Sequence, residues 1–218
     1  MSIPKIIHQT FKSEKLPFLT RWHISRFRKK NPDYGYEFYD DARIEKFLEQ
    51  EYDVETLELY QRINIGAAKA DFFRYAVLLK KGGVYLDIDS SIKGSLNNFI
   101  RPDDTAIISE EGNPGLYVQW ALVYAANHPF LQRTMELVCD NIKHNRYPHD
   151  VHKMTGPTAY TNAINQCLAE HPDTPYRLLG VDYNGHLKFK YPLSKLSLYK
   201  KGEHWKKLQQ TQPVLRTK

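Results

Sequence analysis

Cysteine is scarce in these 218 residues: Cys139 and Cys167 are the two present, too few for a disulfide framework or a thiolate metal site. Cys139 lies in an apolar helical run, and both are read as buried thiols of a reducing compartment. Long apolar runs are missing as well. No window approaches the roughly 18 to 20 uninterrupted apolar residues of a spanning helix, and the opening Met1-Ser2-Ile3-Pro4-Lys5 lacks the basic segment and apolar run of a secretory leader. A soluble, cytoplasmic protein is the expectation. Internal repeats, low-complexity tracts and Gly/Ser-rich linkers are not found, which leaves one domain over residues 1–218 as the simplest organisation. Acidic residues nearly vanish from the end of the chain. From Lys188 to Lys218 nine Lys and Arg face Glu203 alone, so this segment carries +8 and the remainder −2 of the net +6. A basic segment from about residue 188 favours an anionic partner, whether a phosphate-bearing ligand, an anionic membrane surface or nucleic acid.

What is plentiful is aromatic. Phe, Trp and Tyr make up 13% of the chain and hydrophobic residues 41%, enough to build a core and to exclude wholesale disorder. Lys5-Ile6-Ile7-His8-Gln9 reads as a short buried strand, Leu19 to Lys30 as a helix, and Tyr36 to Tyr39 as a second strand with Asp40 or Asp41 capping the helix that follows. Ala67 to Lys81 has a helical pattern that Gly82-Gly83 ends, and Val84 to Asp89 follows as a strand. Thr105 to Ser109 and Tyr117 to Tyr124 have strand character, while Pro129 to Lys143 and Pro157 to Ala169 have the spacing of core-packed helices. This alternation points to the α/β class.

Two polar groupings stand out against the apolar background. In a strand, residues two apart point the same way, so Asp87 and Asp89 would form an acidic cup where the strand runs out into Ser90-Ser91. Unpaired carboxylates beside Val84, Leu86 and Ile88 carry a large desolvation penalty unless water, basic side chains or a cation compensate. Hard oxygen ligands suit Mg²⁺ or Mn²⁺, which couples metal to phosphate. An Asp-x-Asp triplet that merely terminates a strand is the competing reading. On the preceding helix, Asp71 and Arg74 share a face. Together they could grip a polyhydroxylated ligand, one accepting and the other donating hydrogen bonds, or form an ordinary surface ion pair.

The run Ala68-Lys69-Ala70-Asp71-Phe72-Phe73-Arg74-Tyr75 followed by Gly82-Gly83-Val84-Tyr85-Leu86-Asp87-Ile88-Asp89 resembles the signature of the DXD-containing glycosyltransferases. These are related to yeast initiation mannosyltransferase and bacterial capsular polysaccharide enzymes, and more distantly to the clostridial glucosylating toxins. Ile3-Pro4-Lys5-Ile6-Ile7-His8-Gln9-Thr10-Phe11 is similar to the family's first strand, and Thr155-Gly156-Pro157 to a later motif. The resemblance implies a GT-A-type, Rossmann-like fold with a mixed central sheet flanked by helices. It also implies a UDP- or GDP-sugar donor, a divalent metal (Mn²⁺ or Mg²⁺) and a glycan or lipid-linked glycan acceptor. By position, Asp87 and Asp89 would contact metal, ribose and diphosphate, Asp71 and Arg74 the donor sugar, and Ile7, His8 and Gln9 the nucleoside. His8 is equally readable as a satisfied core histidine.

Near the C-terminus the family often has a His followed closely by Ser-Trp; here His204-Trp205 lacks the Ser-Trp order, and either His204 is a metal ligand and Trp205 a phosphate donor or the segment is a plain basic tail. Glu110 to Asn113 is an expected acceptor-side loop. Transfer of a hexosyl group with retention of configuration follows from the resemblance; the basic surfaces of such an enzyme could rest on an anionic membrane that carries the acceptor, and nucleic acid is not an expected partner. The competing readings are another metal-dependent phosphate or nucleotide enzyme, and a basic module that binds nucleic acid or membrane.

Overall fold

The computed structural model describes residues 2–192, 194, 198 and 205–216. Strand β1 (Ile6–Thr10) enters helix α1 (Phe18–Lys29), which returns the chain to β2 (Gly35–Tyr39). Helices α2 (Asp41–Glu51) and α3 (Val54–Arg62) follow, each begun by an aspartate, Asp40 or Asp53, whose side chain accepts from a first-turn backbone N–H. Helix α4 (Gly66–Lys81) leads into β3 (Gly83–Leu86) and the short β4 (Ser91–Ile92). Then come β5 (Ala106–Ser109), β6 (Ala121–Tyr124), α5 (Pro129–Lys143), α6 (Val151–Met154), α7 (Pro157–Glu170), β7 (Arg177–Leu179) and β8 (Leu187–Lys188). A helix over Trp205–Thr211 completes the described chain.

Six strands form one mixed sheet in the order β2-β1-β3-β6-β5-β7, and β4 pairs with β8 beside it. β1 is parallel to β2 and β3, β6 is antiparallel to β3 and β5, and β7 is parallel to β5. Five strands therefore end on one edge, where β6 begins. In sheets of this kind ligands bind outside the carboxyl ends of the strands. The pleat divides the core: Tyr85, Leu122 and Tyr124 join the cluster beneath α2 to α7, while Val84, Leu86, Ala121 and Val123 join the one beneath α1.

The double glycine is a steric necessity. Gly82 and Gly83 have φ of +63° and +104°, and an added Cβ would lie 2.6 Å from the Ala126 nitrogen or 2.6 Å from the Ile6 carbonyl oxygen. Side chains here would push α4 and β3 away from β1. The expected strand over Val84 to Asp89 is shorter than its pattern: β3 stops at Leu86. Asp87 N donates to the Trp120 carbonyl (2.8 Å), and the chain then turns, with Ser90 N donating to the Asp87 carbonyl (2.9 Å). Asp87 and Asp89 are thus carried by a turn rather than by alternate positions of a strand. The physical reason is solvation, since a carboxylate inside a sheet buried on both faces would find no donors, whereas a turn at its edge brings Asp87 to Arg74. Tyr117 to Tyr124 is likewise a strand only from Ala121; Tyr117 makes an isolated bridge with Glu110. The two cysteines are unbonded, Cys167 buried and Cys139 partly so.

Candidate active site

Arg74 organises the carboxyl edge of the sheet. Its Nη2 lies 3.0 Å from Asp71 Oδ1 and 3.1 Å from Asp87 Oδ1. Nη1 donates to the backbone carbonyl and side-chain oxygen of Gln119 (2.6 and 3.0 Å), Nε donates to the Ala70 carbonyl (3.2 Å), and the guanidinium lies over the Tyr85 ring. Gln119 Nε2 donates in turn to Asp71 Oδ1 (2.9 Å), and Thr155 Oγ1 donates to Asp71 Oδ2 (3.0 Å). Tyr85 donates its hydroxyl to Asp87 Oδ1 (3.1 Å). Helix α4, strand β3, the approach to β6 and the segment before α7 are thereby tied by one buried network. Every nitrogen of the guanidinium has a protein acceptor, so Arg74 sets the positions of the carboxylates around it. The Asp87 side chain is 25% exposed against 4% for Arg74, which makes Asp87 the member that opens outward.

Carboxylates crowd one another at this edge: Asp71 and Asp87 both pair with Arg74, and Asp89 is buried beside Asp87. The Asp87 pKa is raised from 3.8 to about 7, chiefly by burial, with Asp89 and Asp71 adding to the rise and Arg74 opposing it. Burial works against the Arg74 charge, but Asp87, Tyr85 and Asp71 outweigh it and raise that pKa further. Among the described residues no group of three or more His, Cys, Asp or Glu converges to hold a metal by itself. Two neighbouring hard carboxylates fit a divalent ion that keeps waters and takes its other ligands from a diphosphate. The buried Ser90 Oγ next to Asp89, without a hydrogen-bond partner among the described residues, fits the same need for a ligand at the turn.

Because folding raises the Asp87 pKa, the folded chain holds that proton more tightly than the unfolded chain. The group's contribution to stability is therefore full below about pH 4 and is lost as pH rises through about 7. In metal-free buffer, the melting temperature of the parent should fall relative to Asp87→Asn between those limits and level off above them. Parallel melting temperatures across that range would remove Asp87 as the titrating group.

The first-strand residues divide. Ile7 and His8 are fully buried, and His8 Nε2 donates to the Gly82 carbonyl at 2.9 Å, at the start of β3 and away from the Asp87 turn. Burial lowers the His8 pKa to about 4, against the raising effects of Gly82 and Glu37, so the ring is neutral near pH 7. The geometry is that of a core histidine held through Nε2, while its buried Nδ1, 3.6 Å from Glu37 Oε2, has no hydrogen-bond partner among the described residues. Gln9 does face the site: its Nε2 donates to the Asp87 carbonyl (3.1 Å) and its Oε1 accepts from Tyr36 OH (3.0 Å). Trp205 packs against His152 in α6, with ring centroids 5.2 Å apart, three residues before Thr155. His204 lies outside the described residues.

Gln119 escaped sequence reasoning, although a glutamine inside the apolar run Tyr117 to Tyr124 was the available signal; Thr155 was noticed as part of a motif without a role. The loop Glu110 to Asn113 leaves the carboxyl end of β5, on the same edge as Asp87. It borders a cavity of about 520 Å³ lined by Glu110, Glu111, Leu116, Tyr117, Thr161 and Asn165.

Comparison with known proteins agrees with this geometry. Residues 17–107 match the family model described as glycosyltransferase sugar-binding region containing DXD motif. An uncharacterized glycosyltransferase of Acanthamoeba polyphaga mimivirus is 41% identical over 45% of this chain and 40% of its own length. The initiation-specific alpha-1,6-mannosyltransferase of Schizosaccharomyces pombe is 27% identical over 76% of this chain and 49% of its own. The chain thus spans less than half of either relative. Among solved structures, PaToxG glycosyltransferase superposes with a TM-score of 0.63 at 22% identity, covering 78% of this chain and 71% of that one, which shows the shared GT-A-type fold. With its double glycine, its Asp87-Ile88-Asp89 turn and its Asp71–Arg74 pair at one sheet edge, the chain is similar over residues 17–107 to the glycosyltransferase sugar-binding region containing DXD motif.

Proposed function

We propose that this chain transfers a hexosyl group from a nucleoside-diphosphate sugar to a hydroxyl of a glycan or glycolipid acceptor, with retention of configuration. The observation that carries this reading is the turn at the carboxyl edge of β3, where Asp87, paired with the Arg74 guanidinium, stands beside the buried carboxylate of Asp89. Asp87 and Asp89 would hold a divalent cation, Mn²⁺ or Mg²⁺, with Ser90 alongside. When bound, such an ion supplies Lewis-acid neutralisation of the charge that grows on the diphosphate leaving group.

The chain's own residues prepare the site. Arg74 fixes the Asp87 carboxylate through Nη2, and Gln9 fixes the backbone of the same turn, so neither must reorganise during the reaction. Asp71, locked by Gln119 and Thr155, would present its remaining acceptor capacity to the donor sugar, and Trp205 would close over the phosphates. The cavity beside Glu110 and Tyr117 would seat the acceptor. Its two glutamates and the side chains of Thr161 and Asn165 supply the mix of acceptors and donors that sugar hydroxyls need.

The name of the S. pombe relative puts a mannosyl donor first in any panel. The test is thermal unfolding across UDP- and GDP-sugars with and without Mn²⁺, followed by mass spectrometry of the products. Metal-dependent stabilisation by at least one nucleotide sugar, and slow release of free sugar from it, are expected. Absence of both for every compound would overturn the reading.

A further inference from the structure

Of the seven large apolar side chains exposed among the described residues, Phe18 (75% exposed), Trp22 (44%), Val181 (51%) and Phe189 (43%) are brought by the topology to the edge that carries the DXD turn; Val54, Tyr176 and Leu178 are the others. Phe18 and Trp22 occupy the first two turns of α1, which follows the carboxyl end of β1 after the seven-residue loop 11–17. Val181 follows the carboxyl end of β7. Phe189 follows β8 and stacks on Trp120 at 5.3 Å, and Trp120 is the residue whose carbonyl receives the Asp87 N–H. The two sides of this rim are joined at Tyr191. Its ring stacks on His23 of α1 at 3.9 Å, its hydroxyl pairs with Thr20 Oγ1 at 2.7 Å, and its N–H donates to the Asp89 carbonyl at 2.8 Å.

Positive charge surrounds these side chains. Helix α1 contains no acidic residue and carries Arg21, Arg26, Arg28 and Lys29, with Arg26 stacked over Trp22 at 4.6 Å. Lys12 and Lys15 precede it, and Lys188 and Lys190 flank Phe189. On the flank of the same helix, Arg21, Arg28, Lys29 and Arg43 line an open cavity of about 630 Å³ in which Glu14 is the one acidic residue among the described lining. Exposed aromatics among Lys and Arg complement a lipid–water interface of negative charge, where rings enter the headgroup level and cations meet phosphates. Among the described residues no helix is long and apolar enough to cross a membrane, so such contact would be with the surface of the bilayer.

We propose that the DXD edge of this molecule docks on an anionic phospholipid surface through Phe18, Trp22, Val181 and Phe189, with the cations of α1 and of the segment after β8 pairing with lipid phosphates. This docking face rests on the glycosyltransferase reading in one respect, that the edge is the mouth of the active site; a lipid-borne acceptor would then reach the cavity beside Glu110 without leaving the bilayer.

The experiment is co-sedimentation of the full chain with large unilamellar vesicles of phosphatidylcholine, alone or with about 30 mol% phosphatidylserine, at about 0.1 M salt. Partitioning should rise about tenfold or more with phosphatidylserine and weaken with added salt, as screening requires. The Phe18→Ser/Trp22→Ser variant should lose about tenfold of that partitioning while its melting temperature and its hydrolysis of a soluble nucleotide sugar stay unchanged. Equal partitioning to both vesicle types overturns the proposal. Undiminished binding by the double variant overturns it too, assigning the attraction to the basic segment alone. Tighter binding to a nucleic acid duplex than to vesicles at the same salt would replace the lipid with another polyanion. Sedimentation needs no donor, so failure here leaves the thermal-shift test of the enzymatic reading untouched, and the converse holds.

Discussion

Replacing Asp89 by Asn should lower kcat for sugar transfer by roughly 10²–10³, the range seen when a preorganised electrostatic partner of a transition state is removed. The substitution keeps the size of the side chain and removes the carboxylate that stands beside Asp87. The metal-free variant should therefore still unfold cooperatively, while the stabilisation that Mn²⁺ and a nucleotide sugar give the parent should disappear. Turnover of the preferred donor and thermal unfolding with and without Mn²⁺ supply the two readouts. Wild-type turnover in Asp89→Asn would show that the turn is a strand terminator and nothing more. Loss of the cooperative transition would show that it is chiefly structural.

Removing Arg74 should be the most damaging single change to the fold at this edge. Arg74→Ala leaves Asp71 and Asp87 without their guanidinium and strands the Gln119 side-chain oxygen. Breaking one side of a buried charge pair costs about 3–5 kcal/mol, which in a chain of this size lowers Tm by on the order of 10 °C. Lysine restores the charge without the fork that reaches Gln119, Asp71 and Asp87 together, so Arg74→Lys should recover part of the loss. Adding Asp71→Asn to Arg74→Ala should cost less than the two changes measured apart, because the second removes a charge that the first left unpaired. Urea unfolding of the four chains measures this. An Arg74→Ala penalty below about 1 kcal/mol would mean that water already solvates these carboxylates, and the Asp87 pKa would then be ordinary.

Much of this architecture is legible in local pattern. The helices over Phe18–Lys29, Gly66–Lys81, Pro129–Lys143 and Pro157–Glu170 follow hydrophobic spacing and its punctuation by Pro and Gly, which act within a few residues. So does the α/β class, and the sequence marked Asp71–Arg74 and Asp87–Asp89 as two polar groupings that the family resemblance linked. Spacing overstated the strand at Asp87, because alternation continues through Ile88 while the sheet does not. It left His8 open between ligand contact and core, a choice that depends on the Gly82 carbonyl 74 residues away.

The tertiary structure alone decided which partners these groups have. Arg74 has the look of an exposed helical cation until Gln119 and Asp87 arrive from two other segments, and Asp87 acquires its raised pKa through burial and neighbours that lie far apart in the chain. Patterning reports which face of an element is apolar. Desolvation and hydrogen-bond satisfaction depend on what is packed against that face, and long-range packing settled them here.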